Sequence, residues 1–227
     1  DAAKQMQAAF KSYPDAHIGS IATLEVFGKG SGLTSSKKTM SFVTNHDTDR
    51  NPGEYLRHKD GATFILANEW LLASGYGSPQ VYSSFEWDTR DDSPPAKDKG
   101  LITDADCTSK QWTCDHRDHG IVAMVKWHNY VGNARRANFY TDDANVIAFS
   151  KDGKGWAAFN NGTEAKQIHV QTGLPKGTYC DVIHDKDPGK GCDGPTVVVN
   201  STGLVTVTVA AKDAVAFTRA DRISNPT

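Results

Sequence analysis

The chain has no apolar run near the ~18 residues that span a bilayer, no Cys-x-x-Cys core, no internal repeat and almost no net charge. The first absence argues against a membrane-spanning helix. A net charge of −2 offers no electrostatic case for nucleic acid or an anionic membrane, which call for clustered Lys and Arg. Without a repeating period, solenoids and propellers are excluded. Nothing at Asp1 reads as a secretory leader, as expected equally of a mature secreted protein and of an excised piece.

What is present is ordinary globular material. With 227 residues, 38% hydrophobic and 23% charged, there is room for one large domain or two modest ones. Cys107, Cys114, Cys180 and Cys192 form two local groups. Four cysteines can pair in more than one way, and sequence alone does not choose. Their spacings lack a zinc-ligand core, so disulfides formed in an oxidising, extracellular setting are the better reading. Asn161-Gly162-Thr163 and Asn200-Ser201-Thr202 are glycosylation sequons.

Read in order, residues 2–13 are rich in helix formers, with Asp1 at the N-cap position and Pro14-Asp15 as the stop. Ile18–Phe27 reads as a short strand, and Lys29–Lys38 as a solvated linker. Tyr55–Ser74 reads as a helix with Phe64, Leu66, Ala67, Trp70, Leu71 and Leu72 on a wide apolar face. Val81–Phe85 is a strand candidate, and residues 88–115 form a polar loop. His119–Tyr130 reads as a helix with Ile121, Val122, Val125 and Trp127 inward. Beyond residue 145 short β-prone runs alternate with Gly, Asn and Asp turns, at 146–149, 156–159, 167–170, 178–183, 196–199, 204–209 and 214–218. Even spacing of that kind marks an antiparallel sandwich with a core of its own. The chain therefore divides into residues 1–145 and 146–227.

The most informative stretch is Ser41–Arg50. Phe42 and Val43 end an apolar segment, and Thr44-Asn45-His46-Asp47-Thr48-Asp49-Arg50 that follows is crowded with groups that bind or ionise. Side chains arranged so face substrate at the mouth of a parallel-strand barrel. The bland alternative is a hydrophilic loop in which Asn45 and Asp47 make turn bonds. Phe-Val-x-Asn-His-Asp-Thr-x-Arg resembles the fourth signature region of the α-amylase family, glycoside hydrolase family 13. Asp1-Ala2-Ala3-Lys4 resembles the end of the second region, Leu24-Glu25-Val26-Phe27-Gly28 the third, and Tyr76-Gly77-Ser78-Pro79 with Val81-Tyr82-Ser83-Ser84 is also similar to the family.

The resemblance implies the C-terminal part of a (β/α)8 barrel followed by a Greek-key β-sandwich. It implies retaining hydrolysis of internal α-1,4 bonds of starch, with Asp1 as nucleophile, Glu25 as acid/base and Asp47 as the third carboxylate. Lys4 and His46 would contact the maltooligosaccharide. The cysteines match family positions as the pairs Cys107–Cys114 and Cys180–Cys192. Gln5 stands where the family has a His whose backbone carbonyl ligates calcium, which weakens that cofactor, most of whose ligands would lie outside this chain. Asn45 matches a chloride ligand, but Glu86 stands where a basic ligand is needed, so chloride is not expected.

Two departures matter. The first barrel strands are not in this sequence, and the 22 residues from Glu25 to Asp47 are too few for the two helices and the strand the family has there, since each strand-helix unit takes ~30 residues. The 227 residues alone are thus expected to be inactive, with the missing half of the barrel as a partner. The rival reading is a non-catalytic carbohydrate-binding fragment, or one chain of a nicked enzyme, stacking sugars on Trp70, Trp87 or Trp127.

Overall fold

A computed structural model describes residues 1–11, 19–51, 53–187 and 191–223. Helix α1 (Ala2–Phe10) starts where Asp1 Oδ1 accepts the Ala3 N–H at 2.9 Å. Ala3, Met6, Ala9 and Phe10 form its buried stripe. Ser12, Tyr13 and the Pro14-Asp15 stop lie outside the described residues. The strand expected to run to Phe27 is instead a 3₁₀ turn, Ile21–Val26. Its burial explains this: Ile21 and Leu24 are buried while Glu25 and Val26 are exposed, a period of three rather than two. Residues 29–38 are docked, with 3₁₀ turns at Lys29–Ser31 and Ser36–Lys38. Ser31 is bonded to Gln5, and the Tyr76 hydroxyl donates to the Thr34 carbonyl at 2.8 Å.

Strand β1 (Met40–Phe42) follows, then helix α2 (Ala62–Ser74) and strand β2 (Ser78–Gln80), which pairs in parallel with β1. Helix α2 begins seven residues later than expected from Tyr55. Arg57–Asp60 close a capped 3₁₀ turn, and Gly61 at φ +56° takes a conformation side chains resist. All six residues of its predicted face are buried, and so are Thr63, Asn68, Glu69 and Ala73. It is enclosed on nearly every side. Within residues 81–85, where a strand was expected, only Phe85 pairs, in an isolated bridge to Trp112. Helix α3 (His119–Val131) buries Ile121, Met124, Trp127 and Val131. Val122 and Val125 stay partly exposed because they lie on the neighbouring stripe.

The rest is a sandwich. Strands β3 (Arg136–Thr141), β4 (Val146–Lys151), β5 (Gly155–Asn160) and β10 (Asp213–Thr218) form one sheet in the order β10-β5-β4-β3. Strands β6 (Lys166–Gln171), β7 (Gly177–Cys180), β8 (Thr196–Val199), β9 (Leu204–Val209) and β11 (Arg222–Ile223) form the other, in the order β11-β7-β8-β9-β6. Strand β6 returning beside β9 makes a Greek key. Every β-prone run read from the sequence contains a strand, and β3 and β11 are additional. A register shift between Ala137 and Tyr140, with Asn138 at φ +50°, hides the alternation of β3. The two cysteine pairs are disulfides, Cys107–Cys114 and Cys180–Cys192.

The sandwich core is not self-contained as expected. Between the sheets lie Val146, Ala148, Trp156, Ala158, Ile168, Val170, Tyr179, Val199, Val209 and Phe217. On the outer face of the four-stranded sheet, Ile147, Phe149, Ala157, Phe159, Ala214 and Ala216 join the core of α1, α2 and α3. Strands β4 and β5 are therefore buried at every residue, which is why their sequences run apolar without alternating. Trp127 Nε1 of α3 crosses this layer to the Phe217 carbonyl at 3.1 Å, and the buried Lys151 Nζ donates to Ser74 at the end of α2. Asn161, one of the two sequons, is fully buried between Phe10 and Lys212, so no glycan reaches it. Asn200 is exposed in the β8–β9 turn.

Candidate active site

The turn after β1 is built by Asn45. Its Oδ1 accepts the backbone N–H groups of Asp47 and Thr48 at 3.0 and 3.1 Å, and its carbonyl accepts that of Asp49 at 2.9 Å. The turn bonding of the bland reading is thus real for Asn45, and it leaves His46 and Asp47 projecting into solvent. Their side chains are about four-fifths exposed and approach each other at 3.5 Å. Asn51 Nδ2 donates to the Asp47 carbonyl from the far side of the turn.

Asp1 lies beside β1. Together with Lys38, Ser41, Phe42 and Tyr76 it lines a depression of about 390 Å³. Its Oδ2 accepts the Tyr55 hydroxyl at 3.1 Å. Lys4 lies over the Tyr55 ring and pairs with Glu54 at 3.6 Å, so Asp1, Lys4 and Tyr55 form one group. Gln5, inside α1, binds Ser31 through both ends of its amide. One helical carbonyl falls far short of the six or more oxygens calcium takes. Among the described residues no group of three or more His, Cys, Asp or Glu is placed to hold a metal.

Among the described residues the Glu25 side chain makes no hydrogen bond or ion pair with Asp1, Lys4 or Tyr55. Its 3₁₀ turn follows Gly19, which abuts the Ala8 and Ala9 carbonyls at the C-terminal end of α1, whereas Asp1 caps the opposite end. Arg136 of β3 donates to the Leu24 carbonyl at 3.2 Å and to the Glu25 carbonyl, so the turn is fastened to the sandwich. The Glu25 side chain is exposed and lends its charge to the buried Arg136 guanidinium, whose pKa burial lowers. Glu86 faces His58, Oε2 to Nε2 at 3.6 Å. The three tryptophans proposed as sugar platforms are all buried: Trp70 and Trp127 lie in the core, and Trp87 donates its Nε1 to Asp49.

Sequence reasoning passed over the groups beneath the turn. Asp49 is 2% exposed and its Oδ2 accepts the Ser84 hydroxyl at 2.5 Å and Trp87 Nε1 at 2.9 Å. His58 Nδ1 approaches its Oδ1 at 3.4 Å. Burial pulls the His58 pKa down, but the Asp49 hydrogen bond and the charges of Asp49, Glu86 and Asp115 outweigh it and leave it raised. Burial likewise pushes Asp49 up, and its His58 and Ser84 hydrogen bonds bring it below the usual carboxylate range. Asp49 inside the signature region was visible in the sequence, but nothing there joined it to residues 9 to 38 positions further on. Glu69, wholly buried in α2, has its carboxyl pushed well up by burial and by Asp118.

A Greek-key sandwich packed on a helical layer, with an exposed His-Asp turn at the end of a parallel strand, has the architecture of the C-terminal part of a barrel joined to a β domain. Residues 137–220 match the family model described as the alpha amylase C-terminal all-beta domain. Over 200 residues the chain is 41% identical to an α-amylase of Thermomonospora curvata, covering 88% of this chain and 32% of that protein. An α-amylase of Tenebrio molitor is 33% identical over 199 residues, or 85% of this chain and 42% of that protein. The crystal structure of α-amylase I from Eisenia fetida, in complex with maltohexaose, superposes with a TM-score of 0.85 at 28% identity, over 96% of this chain and 48% of that one. The chain is similar to the C-terminal part of α-amylases and spans less than half the length of these relatives. Among the described residues no helix is long and apolar enough to cross a membrane.

Proposed function

We propose that this chain is the C-terminal part of a secreted, retaining α-amylase acting on internal α-1,4 bonds of starch and maltooligosaccharides. Asp1 is the nucleophile and Asp47 the carboxylate that binds sugar hydroxyls and favours the distorted ring. Lys4 and His46 contact the substrate. The observation that carries the reading is the exposed His46-Asp47 pair at the end of β1, the strand whose Phe42 lines one depression with Asp1. Retaining chemistry sets nucleophile and acid/base ~5–5.5 Å apart. Glu25, exposed in the Ile21–Val26 turn, is the acid/base of this reading. A general acid must come within hydrogen-bond reach of the leaving oxygen.

Strands β1 and β2 form a sheet of two, which cannot close a barrel on its own. The chain by itself is therefore expected to show no turnover of a chromogenic maltooligosaccharide. Grafting residues 40–227 onto the preceding part of the Thermomonospora curvata enzyme should give starch hydrolysis. In that chimera Asp47→Asn should lower kcat by ~10²-fold or more, as for loss of a charged group aimed at the reacting sugar. A folded chimera in which Asp47→Asn turns over like its parent overturns the reading, and so does turnover by the 227-residue chain alone that Asp47→Asn abolishes.

A further inference from the structure

We propose that Asp49 is a positioning residue, which fixes the His46-Asp47 turn through its hydrogen bonds to Ser84 and Trp87, and that the charged His58 ring holds it in that role. The inference rests on the reading of Asp47 as a substrate-binding carboxylate.

Asp47 has little of its own to hold it. Its carboxylate is exposed, and among the described residues its one ion-pair neighbour is the equally exposed His46. The backbone on either side is ordered by Asn45 and Thr48, whose contacts are all within the turn: Asn45 Oδ1 to Thr48 N–H, Thr48 Oγ1 to Thr44 Oγ1, and Asn45 N–H to Thr48 Oγ1. Bonds within a turn set its shape but not its orientation on the fold. Asp49 supplies the attachment. Two residues past Asp47 its side chain points inward, and three donors from two other segments converge on it: Ser84 and Trp87 beyond β2, and His58 in the turn before α2.

The charge balance makes the attachment sensitive to protonation. A carboxylate with 2% exposure needs compensation, because an isolated buried charge is costly. Ser84 and Trp87 are neutral donors, so His58 is the group able to supply opposite charge by direct contact. The ring is itself buried and meets Asp49 from the turn after β1, Glu86 from the segment after β2 and Asp115 from the turn before α3. Arg57 and Lys59, its neighbours in the chain, are turned to the Trp87 ring, at 5.3 and 4.2 Å from its centroid. The imidazolium thus faces three carboxylates, while Arg57 and Lys59 lie over the ring of Trp87 and make no ion pair with Asp49 among the described residues. Its raised pKa agrees with that geometry.

The test is nuclear magnetic resonance on the 227-residue chain, which needs no activity. The Trp87 indole N–H and the amides of Asp47, Thr48 and Asp49 should shift with one midpoint, that of the His58 ring, lying above the usual value for a histidine. In Asp49→Asn the His58 midpoint should fall, the turn amides should stop following it, and hydrogen exchange at Thr48 and Asp49 should quicken by about tenfold or more, as for a locally loosened segment. Should that variant not fold, His58→Gln serves: the indole and turn signals should lose their pH dependence together. Turn amides that ignore His58, or that exchange at parental rates in the folded variant, overturn the proposal. In the chimera, Asp49→Asn should lower kcat with KM within about twofold and alter the pH–rate profile, as for loss of orientation rather than binding; an unaltered profile overturns the proposal. If Asp47→Asn leaves hydrolysis intact while the resonances stay coupled, the proposed function fails and the attachment of the turn by Asp49 stands.

Discussion

The two halves of the molecule are held by different means. From β3 onward, long antiparallel ladders run through strands of up to six residues, and two layers of apolar side chains flank the four-stranded sheet. Before β3 the described residues form two strands of three residues, three helices and a series of 3₁₀ turns. There, side chains take over much of the work of ladders: Ser41 Oγ to the Tyr76 carbonyl, Gln5 to Ser31, Asp49 to Ser84 and Trp87. The groups with binding chemistry lie in this less regular half. Loops on a rigid support can change sequence without costing the fold, and they carry function for that reason. The comparison has a limit, because the sheet also depends on the helices above it.

The strongest way to break the comparison is to separate the halves. A polypeptide of residues 133–223 would expose Ile147, Phe149, Phe159 and Ala216, which α2 and α3 now cover. It is expected to lack a cooperative urea transition and to bind a hydrophobic dye. A sharp transition with native near-ultraviolet dichroism would show that the inter-sheet core suffices. Next in size is Phe159→Ala, which removes a fully buried ring stacked 6.0 Å from Phe149 in the shared layer. A loss of about 3–5 kcal/mol is expected from urea denaturation; a loss below about 1 kcal/mol would mean the layer is loosely packed.

The disulfides sharpen the contrast further. Loop-closure entropy assigns roughly 2–3 kcal/mol to short loops such as these. Cys180 ends β7, inside a ladder, while Cys107–Cys114 closes an irregular loop. Replacing Cys180 and Cys192 by Ala should lower Tm for the whole chain. Replacing Cys107 and Cys114 should mainly speed proteolysis within 88–115, and the reverse pattern would contradict the division.

The smallest effect is one of pH within the sandwich. His184 gives one ring nitrogen to Asp181 at 2.6 Å and the other to Asp213 at 3.0 Å, and these hydrogen bonds raise its pKa to about 10. A folded-state pKa above the unfolded value means the stabilisation is complete below about pH 6.5 and is lost as pH rises through about 10. With 38% of the side chain exposed, solvent screening limits it to about 1 kcal/mol. His184→Gln should therefore be less stable than the parent near pH 6, with the gap closing above pH 10. A gap that widens with pH would refute the assignment.

Much of this was readable from residues near one another in the chain. The apolar runs beyond residue 145 specified seven strands, because turn residues bound each run and β-branched or aromatic residues fill it. Asp1 as a cap, the Asn45 turn and the face of α2 are likewise local, each set by a few neighbouring residues. The start of α2 was misplaced because a capped turn and Gly61 compete with the apolar pattern there. The Ile21–Val26 turn was misread because a ten-residue apolar segment fits both a period of two and a period of three.

Only the tertiary structure decided the rest. It determined that β4 and β5 are buried on both faces, that Asn161 is sealed against Phe10 and that Trp70, Trp87 and Trp127 are interior. It fastened the Glu25 turn to Arg136, and it joined Asp49 to His58, Ser84 and Trp87. The physical reason is common to all of these. Burial and hydrogen-bond partners depend on which segments meet, and segments tens of residues apart meet through the packing of the whole chain. Propensity and pattern act over a few residues only, so the sequence by itself determined the elements and the exposed turn at the end of β1, and folding determined what surrounds them.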